Sequence, residues 1–318
     1  MDNKDKKIFK TLEEQIEIMR NKGLIINDEK NTEEILLREN YFFLHGYREL
    51  FMQNKDRSNY LSNTTFEELY SLFLFDRHLR NILFKNILII ENNIKSIISY
   101  QLSKKYGYRE KDYLKPNNFN TAYESKKRVN DIIAKMKRQI KTNAINHSAT
   151  KHYVTNYGYI PLWVLVKVLS FGIVVDLFSI LKKEDQYDII ELYDLDVKTF
   201  NTYLSVLSNY RNLCAHEDIV FSNRTQKYID DSIYHRKLNI PMMDNEYIYG
   251  KNDLFALVII LKSLLKDQEV KDLISEIDEL VQDLANKLNV ISVAKVLDKM
   301  GFPENYKDIV NITKKELF

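Results

Sequence analysis

The chain has 318 residues, of which 45% are hydrophobic and 29% charged, with a formal net charge of +2. This is the make-up of a globular protein of one large domain or two ordinary ones. Only 7 Gly and 4 Pro leave too little turn punctuation for a fold of many short strands, and the single cysteine, Cys214, excludes an internal disulfide or a Cys-based metal site. A near-neutral total also hides an asymmetry. From Gln101 to Lys151 there are thirteen Lys or Arg against four Asp or Glu, whereas from Asn252 to Phe318 there are nine against twelve. A polyanion reads such local basicity.

Met1–Lys7 is charged and has no apolar run behind it, so no signal peptide is expected. A helix is predicted from Thr11 to Asn21, with Leu12, Ile16, Ile18 and Met19 inward, a Thr11/Glu14 capping box and Gly23 as a left-handed stop. A second is predicted from Asn31-Thr32, with Glu33 and Glu34 in its first turn, up to the aromatic cluster Tyr41–Arg48. His45 in that cluster reads as a packed or capping residue. Asn63–Glu68 carries cap chemistry, and helical pattern then runs without Gly or Pro to Tyr106. Forty residues would extend about 60 Å, so a bend or break is expected. Within it Glu91 and Lys95 share a face inside an apolar segment, which points to a partly buried pair.

Lys104–Asn120 reads as loop, with Tyr106, Tyr108 and Tyr113 among basic residues, and Tyr123–Thr142 as helix. Lys104, Lys105, Arg109, Lys126, Lys127, Arg128, Lys135, Lys137, Arg138 and Lys141 are the candidate RNA contacts, since one sign of charge beside aromatics suits a nucleic-acid backbone. The bland alternative is a solvated face. Pro161 is predicted to open a helix that is apolar nearly all round, with Trp163, Leu165, Val166, Leu169, Val174, Leu177 and Phe178, and Gly172 permitting close helix contact. Its longest apolar run, residues 160–169, is too short for a bilayer, so no membrane association is expected. One cysteine and no leader fit a reducing, cytoplasmic setting.

Val197, Phe200, Leu204, Leu207 and Cys214 then mark the buried stripe of one more amphipathic helix, so Cys214 reads as a core residue rather than a nucleophile. That helix ends in Arg211-Asn212-Leu213-Cys214-Ala215-His216. Asn212 and His216 are four apart and share a face; Arg211 sits about 100° round from Asn212. A fixed cation, an amide and an imidazole suit a site that holds a phosphate and moves a proton near neutral pH. They also suit a plain helix end, where Arg and His satisfy the last carbonyls and the dipole. Phe221–Asp244 reads as irregular, followed by helices from Asp253 to Leu265 and from Lys271 to Leu288, and a short one after Pro303.

Several of these stretches, taken together, resemble a known family. They are Asn40-Tyr41-Phe42 with Gly46-Tyr47, Phe75–Arg80, Glu91, Tyr159–Leu165, Leu169–Gly172 and Arg211–His216. The chain resembles the bacterial abortive-infection (Abi-like) family of the AbiD/AbiF type, which is similar to the HEPN superfamily of helical domains whose Arg-x4-6-His motif cleaves RNA without metal. The resemblance implies an all-α, HEPN-like helical bundle over residues 61–268 with a basic insertion at about 104–151. An N-terminal helical extension (1–60) and C-terminal helices (269–318) would flank it. It implies that Arg211 and His216 are catalytic, with Asn212 orienting and Glu91 as the acidic residue of the neighbouring helix. Lys95 stands where the family often has Arg, and Lys cannot make Arg's bidentate fork.

The implied activity is an endoribonuclease toxin in phage defence, with RNA as substrate and, in some members, a structured noncoding RNA as antitoxin. No cofactor or metal is called for, because RNA carries its own nucleophile in the 2′-OH. A single motif supplies only one His, which suggests a composite site with two motifs facing across a twofold homodimer. The alternative is a catalytically silent RNA-binding or helical interaction module of the same fold.

Overall fold

The computed structural model describes residues 8–53 and 58–313. The expectation for Met1–Lys7 lies outside them, as do the last residues, 314–318. The first helix, α1 (Leu12–Asn21), starts where the Thr11/Glu14 capping box puts it, buries Ile16 and Met19, and stops before Gly23 at φ +86°. Helix α2 (Glu29–Glu39) begins two residues earlier than the acidic turn suggested. Its cap is Asp28, whose carboxylate accepts from the Asn31 N–H at 2.9 Å. Asn40, at φ +67°, turns the chain into the short α3 (Tyr41–His45), which runs on into a 3₁₀ helix, Gly46–Phe51.

Thr65 and Glu68 form a second capping box, and α4 (Phe66–Tyr106) follows as one unbroken helix of 41 residues. The expected break is absent because apolar residues line α4 throughout and neighbours pack on several sides of it. Leu72, Leu79, Leu83, Ile87, Ile90, Ile94 and Ile98 are all wholly buried. Burying one such side chain contributes about 1.5–3 kcal/mol, which outweighs any local tendency to bend. The stretch read as loop after Tyr106 holds a single helical turn, α5 (Glu110–Tyr113), and a 3₁₀ turn at Pro116–Asn118. The basic helix α6 (Lys126–Asn146) buries Val129, Ile132, Ile133 and Met136 and is followed by α7 (Ser148–Tyr157).

The apolar helix expected after Pro161 is two helices. Leu169 is extended at ψ 131°, and Ser170 caps a new start through its hydroxyl on the Ile173 N–H, giving α8 (Leu162–Val168) and α9 (Phe171–Ile180). Trp163 points outward, 45% exposed beside Tyr108, and so is not core. Helix α10 (Lys183–Ile190) leads to α11 (Val197–Ala215), which Asp196 caps and whose Phe200, Leu204 and Leu207 are wholly buried. The irregular connection contains α12 (Ile233–Lys237) and a two-stranded hairpin, Met242–Met243 with Glu246–Tyr247, the only sheet among the described residues.

Helix α13 (Leu254–Leu264) is buried at every position. Helix α14 (Asp267–Ala285) starts four residues before the predicted Lys271, and α15 (Val293–Met300) is an element the sequence reading did not separate. A 3₁₀ helix, Tyr306–Asn311, ends the described chain. The fold is all-α. Helix α4 is its axis, with α8, α10, α11 and α14 packed along it.

Candidate active site at the end of α11

Arg211 lies in the last turn of α11, and its Nε stands 3.5 Å from Glu91 Oε2 on α4. Glu91 is only 5% exposed, and its other oxygen accepts from Lys95 Nζ at 2.6 Å. The Arg211 guanidinium also sits 5.8 Å from the centre of the Phe84 ring. Among the described residues, Glu91 Oε2 and Arg211 Nε are buried polar atoms without a hydrogen-bond partner. They face each other at 3.5 Å as a long ion pair rather than a normal hydrogen bond. Lys95 gives Glu91 a single point contact and leaves the second oxygen to Arg211.

His216 is the C-cap of the same helix. The Asp218 N–H donates to Leu213 O at 3.0 Å and the Glu217 N–H to Cys214 O at 3.5 Å, with Glu217 in left-handed backbone at φ +59°. This is a Schellman ending with Glu where Gly is usual. Asn212 and His216, four apart on α11, are both exposed. His216 lines a cleft of about 350 Å³ together with His45, Phe42, Phe43, Arg77 and Glu217. The structure therefore joins Arg211 to Glu91 and Lys95. No hydrogen bond or ion pair among the described residues joins Arg211 to His216. Five residues of helix separate the two by about 7.5 Å of rise and about 140° of turn.

One network at this site was not singled out from sequence. Asp76 on α4 is wholly buried and accepts from the Tyr47 hydroxyl at 2.7 Å, Arg80 at 2.5 Å and the Phe221 N–H at 2.8 Å; the Val220 N–H donates to it at 3.3 Å. Burial pushes its carboxyl up, and the Arg80 charge and these donors oppose that rise. Arg80 also donates to Asp218 O at 3.3 Å. The segment just after His216 is thus pinned to α4. The signal was present in sequence as an i,i+4 Asp/Arg pair on an otherwise apolar helix face. Cys214 is buried, and burial pushes its thiol up to about 12, as befits a core residue and not a nucleophile.

The basic candidates divide. Lys105 donates to the buried Asp185 at 2.5 Å, Lys135 to Asp176 at 3.0 Å, and Arg128 lies 3.7 Å from the same Asp176. Arg109 stacks 5.3 Å from the Tyr159 ring centre and 5.6 Å from that of Tyr108. Lys104, Lys126, Lys127, Lys137, Arg138 and Lys141 are exposed, and among the described residues no carboxylate lies within ion-pair distance of them. Lys135, Gly172, Asp176, Ser205 and Ser208 line one surface groove. Ser208 precedes Asn212 by one turn, so the groove leads from α6 along α11 toward His216.

The sequence profile of the Abi-like family matches residues 34–222, which include α4, α11 and every candidate residue named above. The chain belongs to the Abi-like family, and that membership points to abortive infection, a defence against phage, as its setting. No curated relative and no solved structure matches the chain. No helix among the described residues is long and apolar enough to cross a membrane.

Proposed function

We propose that this protein is an HEPN-type, metal-independent endoribonuclease of phage defence, with its active site at the end of α11. The observation that carries this reading is the half-satisfied Glu91–Arg211 pair beside an exposed Asn212 and His216. In the proposed reaction the RNA 2′-OH attacks the adjacent phosphorus and forms a 2′,3′-cyclic phosphate, and the 5′ oxygen leaves. His216 moves the proton at one of these oxygens. Arg211, held by Glu91, neutralises the charge gathering on the phosphoryl oxygens. Asn212 orients the phosphate or the ring of His216. The nucleophile comes from the substrate, so the scheme needs no metal or cofactor to make one.

The Arg211–His216 motif supplies one His, which suits only one of the two proton transfers, so a second copy of the motif completes the site across a twofold axis. The exposed cations of α6 give the RNA backbone a path along the groove to α11. A structured noncoding RNA acting as antitoxin would occupy the same path. The test is cleavage of total RNA by the purified chain in EDTA. Arg211→Ala and His216→Ala should each lower the rate by about 10²–10⁴-fold while leaving RNA binding intact. Products should end in 2′,3′-cyclic phosphate. Undiminished cleavage by the double variant, or products ending in 3′-hydroxyl, would remove the proposal.

A further inference from the structure

The cleft beside His216 has features that the cleavage chemistry does not use. Its volume, about 350 Å³, is near the lower end of the ~300–1,000 Å³ usual for ligand pockets. Phe42 and Phe43, 76% and 57% exposed, stand on α3 at its wall in an edge-to-face pair 6.1 Å apart. Large apolar rings left this open serve little in folding. Phe73 backs the cleft with the Arg77 guanidinium 4.7 Å from its ring centre. Gly46 brings the backbone so close to Ile219 that a Cβ there would lie 2.6 Å from Ile219 Cδ1, which keeps α3 against the end of α11.

The arginines that line the cleft are each already paired with a carboxylate, Arg38 with Glu34. Arg77 is held by both oxygens of Glu39, and Arg80 by Asp76. Glu217 and Asp218 are the exposed carboxylates among the lining residues, and Glu217 is the one directly after His216. Glu217 is also the residue in left-handed backbone at φ +59°, where Gly would end the helix at lower cost. A carboxylate kept at a strained position, on the residue after His216, suggests a role in contacting substrate.

We propose that this cleft receives one unstacked base of the RNA next to the scissile phosphate, and that Glu217 selects guanine. This rests on the ribonuclease reading of the neighbouring residues. Stacking on Phe42 or Phe43 holds any base, as exposed rings do in single-strand recognition. Selection comes from the edge. Guanine offers N1–H and the 2-amino group side by side, a match for the two oxygens of one carboxylate. Adenine and cytosine offer one amino group each beside an acceptor that Glu217 would repel, and uracil offers a single N–H between two carbonyls.

The experiment titrates the full wild-type chain with the 3′-monophosphates of guanosine, inosine, adenosine, cytidine and uridine, read by saturation-transfer NMR. None of these can be cleaved, so binding is measured apart from catalysis. The guanosine nucleotide should bind about tenfold more tightly than the adenosine and uridine nucleotides, with inosine, which lacks the 2-amino group, between them. Phe42→Ala/Phe43→Ala should weaken all five by roughly tenfold, the loss of one base–ring stack. Glu217→Gln should abolish the preference for guanosine and leave the stacking contribution in place. Equal binding of all five, or no binding, would overturn the proposal. So would a Phe42→Ser/Phe43→Ser variant that turns a dimer into a monomer in light scattering while nucleotide binding stays unchanged, because the rings would then cover a second copy. Loss of the ribonuclease reading would appear separately, as cleavage that persists in the Arg211/His216 double variant.

Discussion

Helix α4 carries two buried i,i+4 ion pairs about four turns apart, Asp76–Arg80 and Glu91–Lys95, and their surroundings complete them differently. Asp76 accepts from a hydroxyl, a guanidinium and two backbone N–H groups, and Arg80 adds a carbonyl across to the loop after α11. Glu91 has one oxygen on Lys95 and leaves the other facing Arg211 Nε without a hydrogen bond. Both pairs are almost closed to solvent, so burial does not separate them. Saturation does. A network with every group used is a clamp, whereas a buried pair with capacity left over can hold a further ligand.

The largest expected effect follows from breaking the clamp. Asp76→Ala leaves the Arg80 guanidinium buried without its counter-charge and two backbone N–H groups without an acceptor. Urea unfolding should show a loss of about 3–5 kcal/mol, the usual cost of removing one partner of a buried pair. Cleavage should fall with it, because the segment following His216 is tied down by Asp76.

A third buried carboxylate sharpens the contrast, because it has hydrogen bonds but no cation in its bonding shell. Asp253 caps α13 by accepting from the Ala256 and Gly250 N–H groups, and burial pushes its carboxyl up to about 6. The folded state then binds the proton more tightly than the unfolded chain, whose Asp titrates near ~3.9. Its contribution is fully present below about pH 4 and is lost as pH rises through about 6, a change of roughly 3 kcal/mol. Asp253→Asn keeps an acceptor for the cap and should flatten this part of the stability curve between about pH 4 and pH 6. An unchanged slope in the variant would assign the proton to another group.

Removing both charges of the second pair should do little to the fold. Glu91→Gln/Lys95→Met replaces an ion pair by groups of similar volume, and such exchanges are often neutral, so the expected change in unfolding free energy is within about 1 kcal/mol. Cleavage should nevertheless drop, since Arg211 loses the carboxylate that aims it. A large stability loss would show that this pair too is a clamp, and the distinction drawn above would fail.

These differences also show what was legible in the sequence. Thr11/Glu14 and Thr65/Glu68 announced their helices because a capping box is local chemistry. Asp28 was passed over as a cap because the acidic turn after it drew the start to Asn31. The split of the apolar stretch at Ser170 was hidden because hydrophobic periodicity continues across it, and only the Ser hydroxyl marks the new start. Trp163 looked central by composition, yet α8 turns it to the surface beside Tyr108. At the site, Arg211, Asn212 and His216 were visible as a spacing, and Glu91 through resemblance. The cleft was not visible, because it needs α3 and the end of α11 side by side, and their residues are about 170 positions apart in the chain. The charges of α6 were legible as a number, but not that Lys135 and Arg128 share Asp176.

That last division yields the smallest expected effect, and it separates spent from unspent charge in the way the two α4 pairs separate spent from unspent hydrogen bonds. Lys135 already faces Asp176, so Lys135→Ala frees a carboxylate and removes a cation near the groove. Lys137, Arg138 and Lys141 project from the exposed face of α6. If RNA phosphates lie there, changing these three to Ala removes up to three counterion-releasing contacts. Each contributes about 0.7 to the slope of log affinity against log salt for a single strand, so the slope should fall by about 2. The cleavage rate at saturating RNA should stay the same, since none of the three touches the end of α11. An unchanged slope in the triple variant would make this helix face a solvated surface and send the RNA path elsewhere, for which the Arg109–Tyr159 stack is the next candidate.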